Sequence, residues 1–370
     1  MLPARVVDSF LSLLRAGLWE RPEKLSALDE DEWSGILRLA QEQSVVGLVG
    51  AGLDHCPGQK LPKPVRNELV ATTYGTEKRN AALDSLLTEQ VSLLESSGVP
   101  VVVLKGQGIG RCYARPQWRQ PGDIDYLFDG DGYANAKTLL IPGADTVHHE
   151  DGDLLHLPLA FGDIEVELHG SVNTDLSRRM DAYLAGKKRE MFARKDFRYI
   201  RIGACQVPLP CYQFDAVFVF THILHHLYQG GIGLRQICDW TRLLHVCHGK
   251  LDLPQLESDI RNLGILEEWQ AFGSFAVAYL GLDLAEMPLV ENLQPEKASR
   301  ILAFFLQSGN FGTNLPRRNL SFKNYWHRKI SASLGRSSEI LQVFRLFPRK
   351  TMLYLFAFLI NGLRKSFQGR

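Results

Sequence analysis

Two aspartates stand two residues apart, Asp123 and Asp125, in the run Asp123-Ile124-Asp125-Tyr126-Leu127-Phe128. Pro121-Gly122 precedes the run and Asp129-Gly130-Asp131-Gly132 follows it. Read as a strand, it sets both carboxylates on one face and Ile124, Tyr126 and Phe128 on the other. Two carboxylates that close repel one another, and a cation between them is the usual relief. A later run, Ile164-Glu165-Val166-Glu167-Leu168-His169, has the same alternation and puts Asp163, Glu165, Glu167 and His169 on one face. It offers a third oxygen ligand from a neighbouring strand. Carboxylates holding one or two divalent cations suit phosphoryl transfer, which asks mainly for positioning and charge neutralisation. An exposed edge strand would carry the same acids with no such role.

The elements that must position these acids precede them. Val99-Pro100-Val101-Val102-Val103-Leu104 is apolar and β-branched, and predicts a buried strand. It runs into Lys105-Gly106-Gln107-Gly108-Ile109-Gly110, a glycine-rich turn that can bring backbone N–H groups close to phosphate. Lys105 and Arg119 are candidates to neutralise phosphate charge, or equally ordinary surface cations. Leu154–Ala160 and Ile164–His169 predict a hairpin around Phe161-Gly162-Asp163, and a further strand is expected near 204–209. Residues 1–97 read as helical, with acids at 29–32 opening one helix and an apolar stripe over 76–97 marking another that stops at Gly98. Helices are also expected over 133–140, over 212–228 and onward to about 307. The expected organisation is a helical segment 1–97, an α/β core 98–211, a helical domain 212–310 and a basic, aromatic tail 311–370.

Several familiar sites are excluded. The glycines at 106, 108 and 110 lack the third glycine of a dinucleotide fingerprint, because Arg111 stands in its place. His222 and His226 have helical i, i+4 spacing, but Ile223 occupies the position where a zinc-protease motif needs glutamate, so packed or hydrogen-bonded histidines are the simpler reading. Neither a Walker A motif nor a G-x-S-x-G elbow occurs. The six cysteines form no C-x-x-C pair, which argues against a zinc ribbon or disulfide scaffold and for a reducing compartment. Asp8, Arg15 and Glu20 interrupt any apolar run near the start, so no signal peptide is expected. The apolar share, 45%, is that of an ordinary folded protein.

The net charge of +1 conceals an asymmetry. From Pro316 onward there are 12 Lys/Arg and one acid, against 30 Lys/Arg and 40 acids in the rest of the chain. Such a tail pairs either with the acidic body or with a polyanion, and an anionic membrane surface is one candidate. The apolar stretch 352–360, flanked by Arg349-Lys350 and Arg364-Lys365, is shorter than the roughly 20 residues a spanning helix needs. A buried helix is the simpler reading and a membrane-surface helix the sharper one. No nucleic-acid module is recognisable.

Leu104-Lys105-Gly106, Tyr113, Arg119, Asp123-Ile124-Asp125 and Val166-Glu167-Leu168-His169, in that order, resemble the bacterial nucleotidyltransferase-like family of the polymerase-β superfamily. The block Leu234-Arg235-Gln236-Ile237-Cys238-Asp239 extends the likeness, which covers roughly residues 1–260. The resemblance implies an α+β fold, with a small mixed sheet between helical N- and C-terminal segments. It implies Mg²⁺, or Mn²⁺ in its place, held by Asp123, Asp125 and Glu167, with Glu165 as the reserve ligand. It also implies a nucleoside triphosphate such as ATP bound by Lys105, Gly106, Gln107, Gly108 and Arg119. The nucleotidyl group would pass to a hydroxyl of a sugar, small molecule or protein, in the cytoplasm or at a membrane surface. Two departures stand out: Gln107 replaces the usual serine after the first glycine, and Gly170 follows the histidine where the family tends to carry an aromatic. The first leaves a nucleotide-binding protein without transferase activity as the alternative; the basic, aromatic tail separately suggests a membrane-peripheral role in surface-glycan assembly, with catalysis or without it.

Overall fold

A computed structural model describes residues 3–228, 231–308 and 343–355. Four helices come first: α1 (Ala4–Trp19), α2 (Glu30–Glu42), α3 (Val46–Leu53) and α4 (Lys63–Ser96). The acids opening α2 form a capping box, in which Asp29 accepts from the Glu32 backbone N–H at 2.9 Å and the Glu32 carboxylate accepts from the Asp29 N–H at 3.0 Å. Helix α4 is 34 residues long and starts well before the apolar stripe that announces its second half. Its first half leaves Val70 and Tyr74 exposed and is otherwise mostly polar, so periodicity gives no sign of it. Pro64 in its first turn supplies the start signal instead.

A five-stranded mixed sheet follows, built from β1 (Val102–Leu104), β2 (Ile124–Leu127), β3 (Thr146–Val147), β4 (His156–Phe161) and β5 (Ile164–His169), in the order β1-β2-β5-β4-β3. Helix α5 (Gly106–Gly110) lies between β1 and β2, and α6 (Gly132–Leu140) between β2 and β3. Strand β2 runs antiparallel to β1 and parallel to β5, and β4 and β5 form the expected hairpin. After α7 (Arg178–Arg194), β6 (Phe197–Ile202) and β7 (Cys205–Pro210) make a separate hairpin. Helices α8 (Tyr212–Tyr228), α9 (Leu234–Cys247), α10 (Leu253–Leu263), α11 (Leu266–Leu280) and α12 (Pro295–Ser308) complete the numbered elements.

The sheet divides the apolar interior in two. Val101, Val103, Ile124, Tyr126, Val166 and Leu168 face a core with Leu83, Leu87, Val91 and Leu94 of α4. Tyr126, fully enclosed there, donates its hydroxyl to Gln90 of α4 at 2.9 Å. Val102, Leu104 and Leu127 face the other way, into the larger core of the helical segments. This is strand alternation with both faces covered. Asp125 shares the second face, and the helices α8 and α9 stand opposite it across a cavity.

Residues 348–355 are helical, and Tyr354 packs edge-on against Tyr228 of α8 with ring centroids 4.5 Å apart. The expectations for most of the basic tail, and for 356–360 of the apolar stretch, lie outside the described residues. Among the described residues, no helix is long and apolar enough to cross a membrane.

Candidate functional site

The parallel register of β2 and β5 sets Asp125 opposite Glu167, and the antiparallel register of β1 sets Leu104 opposite Asp125. Strands lie only about 4.8 Å apart, so the sheet itself brings the carboxylates together. One oxygen from each of Asp123, Asp125 and Glu167 falls within 4.8 Å of the others. Glu165, two residues earlier on the same face of β5, is exposed and belongs to a shallow groove with Asp163 and Arg79.

Asp125 is fully buried. Its Oδ1 accepts from Lys105 Nζ at 2.9 Å and from His169 Nε2 at 3.0 Å, while its Oδ2, also enclosed, has no hydrogen-bond partner. Beside it, the Asp123 carboxyl is pushed up to about 6, first by the negative charge of Asp125 and then by burial. An orphaned oxygen, a carboxyl raised by its neighbour and a third carboxylate in reach form a donor set that fits a hard divalent cation.

Lys105 ends β1 in a backbone conformation (φ 47°, ψ −132°) that side-chain-bearing residues seldom adopt, and Gly106 follows with φ 34°. Such strain is tolerated where the surrounding structure holds it, often at functional sites. A Cβ on Gly106 would stand 3.1 Å from the Asp123 carbonyl oxygen, so only glycine lets α5 start this close to β2. Burial would lower the Lys105 pKa, but the carboxylates of Asp125, Asp123 and Glu167 outweigh it and hold the ammonium charged. Burial likewise opposes protonation of His169, whose hydrogen bonds to Asp125 and Glu167 nevertheless raise it to about 9.

The opposite wall comes from α8 and α9. Lys105 Nζ lies 3.4 Å from His222 Nε2, and His226 Nε2 lies 2.9 Å from the same nitrogen. His222 Nε2 is thus approached by both the ammonium and the second imidazole. Burial and then the Lys105 charge keep His222 well below the usual histidine range, and burial brings His226 down to about 3. Arg235 of α9 also faces the cavity; it is held by donating Nη1 to the Gln120 carbonyl at 2.9 Å, and its enclosed Nε has no partner. The cavity between the walls measures about 370 Å³, within the range of small-ligand sites.

The residues expected to bind nucleotide divide. Lys105, Gly106 and Arg119 line the cavity. Arg119 is already committed: its Nε and Nη2 donate to Asp239 at 2.7 and 2.8 Å, and Tyr113 donates to the same carboxylate at 2.7 Å. Only its enclosed Nη1 is without a partner. Gln107 turns its side chain to Asp84 of α4, donating at 2.5 Å, and Gly108 packs against Leu209 of β7. Gly170, the second departure, is wedged between Tyr133 and Leu155, where an added Cβ would sit 2.8 Å from each side chain.

Sequence reasoning left out Arg235, His222, His226 and Asp239 as site residues. The i, i+4 histidine spacing was visible, but nothing local showed that α8 turns that face toward Lys105, 117 positions earlier in the chain.

A family model described as an uncharacterised nucleotidyltransferase matches residues 29–281, which take in every side chain of both cavity walls. Among solved structures, an antigenic nucleotidyltransferase-like protein from Paracoccidioides brasiliensis is similar in part, at 14% identity and a TM-score of 0.33, over 49% of this chain and 86% of that one. No curated protein matches the chain.

Proposed function

The chain belongs to the uncharacterised nucleotidyltransferase family, and we propose that it transfers a nucleoside monophosphate from a nucleoside triphosphate to an acceptor hydroxyl, releasing pyrophosphate. The observation that carries this reading is the convergence of Asp123, Asp125 and Glu167 in a cavity, with Asp125 Oδ2 buried and unpaired. These three side chains would hold Mg²⁺, or Mn²⁺ in its place. A cation bound there would polarise the α-phosphate and neutralise the charge on the departing pyrophosphate.

The chain's own groups do the rest. Lys105, fixed as a charged ammonium, meets the phosphates, with the Gly106 backbone, Arg235 and the one open Arg119 nitrogen beside it. The acceptor oxygen bonds to the α-phosphorus as the bond to pyrophosphate breaks, and its proton passes to a carboxylate of the cluster. The His222–His226 pair stays uncharged and adds no repulsion to the cations grouped around Lys105.

A second reading rests on Gln107. Where the superfamily offers phosphate a serine hydroxyl, this side chain is bound to Asp84. A protein that binds nucleotide without turning it over would follow. Pyrophosphate release with any hydroxyl acceptor rules that reading out.

Calorimetric titration of ATP, GTP, CTP and UTP with Mg²⁺, on wild type and on Asp123→Asn/Asp125→Asn, tests the first reading. Metal-dependent binding by wild type that the double variant loses is expected. Equal binding by both overturns the assignment of the carboxylates.

A further inference from the structure

Around Glu167 a second ligand set converges from other side chains. The β4–β5 register places His156 directly opposite His169. Their imidazoles stack with centroids 4.8 Å apart and planes 14° apart. Both Nε2 atoms turn to one oxygen: Glu167 Oε2 lies 3.2 Å from that of His169 and 3.3 Å from that of His156. The three ligand atoms fall within 4.8 Å of one another. His156 Nε2 is enclosed and, despite its distance from Glu167, makes no well-formed hydrogen bond. The face of this pair lines the cavity.

A single imidazolium would satisfy this carboxylate oxygen. Two imidazoles stacked side by side, each aiming a ring nitrogen at the same point, are instead the start of a coordination sphere. We propose that His156, Glu167 and His169 form a second metal centre, selective for a first-row transition ion and sharing Glu167 with the carboxylate site. Imidazole nitrogen favours the later ions, from Fe²⁺ to Zn²⁺, over Mg²⁺, Ca²⁺ and Mn²⁺, which suit oxygen ligands. Two histidines and one carboxylate leave coordination positions open toward the cavity, as catalytic metal sites do. Without a metal, His169 Nε2 also lies 3.0 Å from Asp125 Oδ1, so binding an ion through this nitrogen exchanges that contact for the metal bond. The two centres differ in ligand chemistry, so each is addressed by a different ion.

Co²⁺ is the probe, titrated into the full chain without nucleotide. Its visible absorption reports the coordination sphere, and imidazole bound to it has strongly shifted ring-proton resonances. Wild type is expected to bind Co²⁺ with two shifted imidazoles. His156→Gln, at a partly exposed position, should weaken that binding by more than about tenfold, the scale on which even outer partners of a metal site act. Asp123→Asn should retain it. A titration of His156→Gln that matches wild type overturns the proposal, and so do Co²⁺-loaded wild-type spectra with unshifted His156 and His169. The wild-type resonances decide the matter even if the variant does not fold. Mg²⁺-dependent nucleotide binding, measured in parallel, separates this centre from the transferase reading. Histidine-bound Co²⁺ without any nucleotide binding supports the second centre alone, while nucleotide binding without histidine ligation of Co²⁺ leaves only the first.

Discussion

Two buried charge clusters border the same cavity and are built in opposite ways. In one, Asp239 receives three hydrogen bonds of 2.7–2.8 Å from Arg119 and Tyr113, and both of its oxygens are filled. In the other, Asp123, Asp125 and Glu167 crowd together, and an enclosed oxygen of Asp125 has no donor. The Asp239 carboxylate in the first cluster is satisfied and joins the segment before β2 to α9, leaving only the enclosed Arg119 Nη1 without a partner. In the second, Lys105 and His169 offset part of the charge, yet Asp125 still raises the Asp123 carboxyl, an imbalance that a structural ion pair lacks and that marks a candidate functional site.

The comparison breaks most readily at Asp123. Asp123→Asn is expected to reduce transfer by more than about 1,000-fold, through loss of several kcal/mol of charge stabilisation at the reacting phosphate. The same change removes a charge that Asp125 repels, so the metal-free variant should melt no lower than wild type. Adding Mg²⁺ or Mn²⁺ should raise the melting temperature of wild type and not of the variant. A variant that melts well below wild type would make the carboxylates a structural cluster after all.

Asp239→Ala should do the reverse, costing about 3–5 kcal/mol of stability by leaving the buried Arg119 unpaired, read as a lower urea midpoint. Unchanged stability would remove the distinction between the two clusters. Gln107→Ala should cost about 1 kcal/mol through its lost bond to Asp84 and leave nucleotide affinity nearly unaltered. Loss of nucleotide binding in that variant would show that the side chain swings to the phosphates. Glu165→Gln, at an exposed position, should change stability by less than about 0.5 kcal/mol and leave metal affinity as it was. A marked loss of metal affinity would transfer the third ligand from Glu167 to Glu165.

Much of this was legible along the chain. The alternation at 123–128 and 164–169 located the two central strands and both faces, because a strand's period of two is a purely local property. The hairpin of β4 and β5, the strand β7, and helices α2, α6 and α8 likewise follow from local pattern and turn residues. Helix α4 shows where that logic stops: its first half packs too little apolar surface to leave a stripe.

Residue type and spacing thus determined the acids, their shared face and the glycine-rich turn before them. The tertiary structure alone decided that β2 and β5 pair in parallel with Asp125 opposite Glu167, which favours Glu167 over Glu165 as the third carboxylate. It also decided that Gln107 points to Asp84, that Arg119 is taken up by Asp239, and that Arg235 and the His222–His226 pair close the far wall. Each of these depends on which residues meet across long stretches of chain, and register and helix packing are set by the burial of whole faces rather than by any short run of sequence.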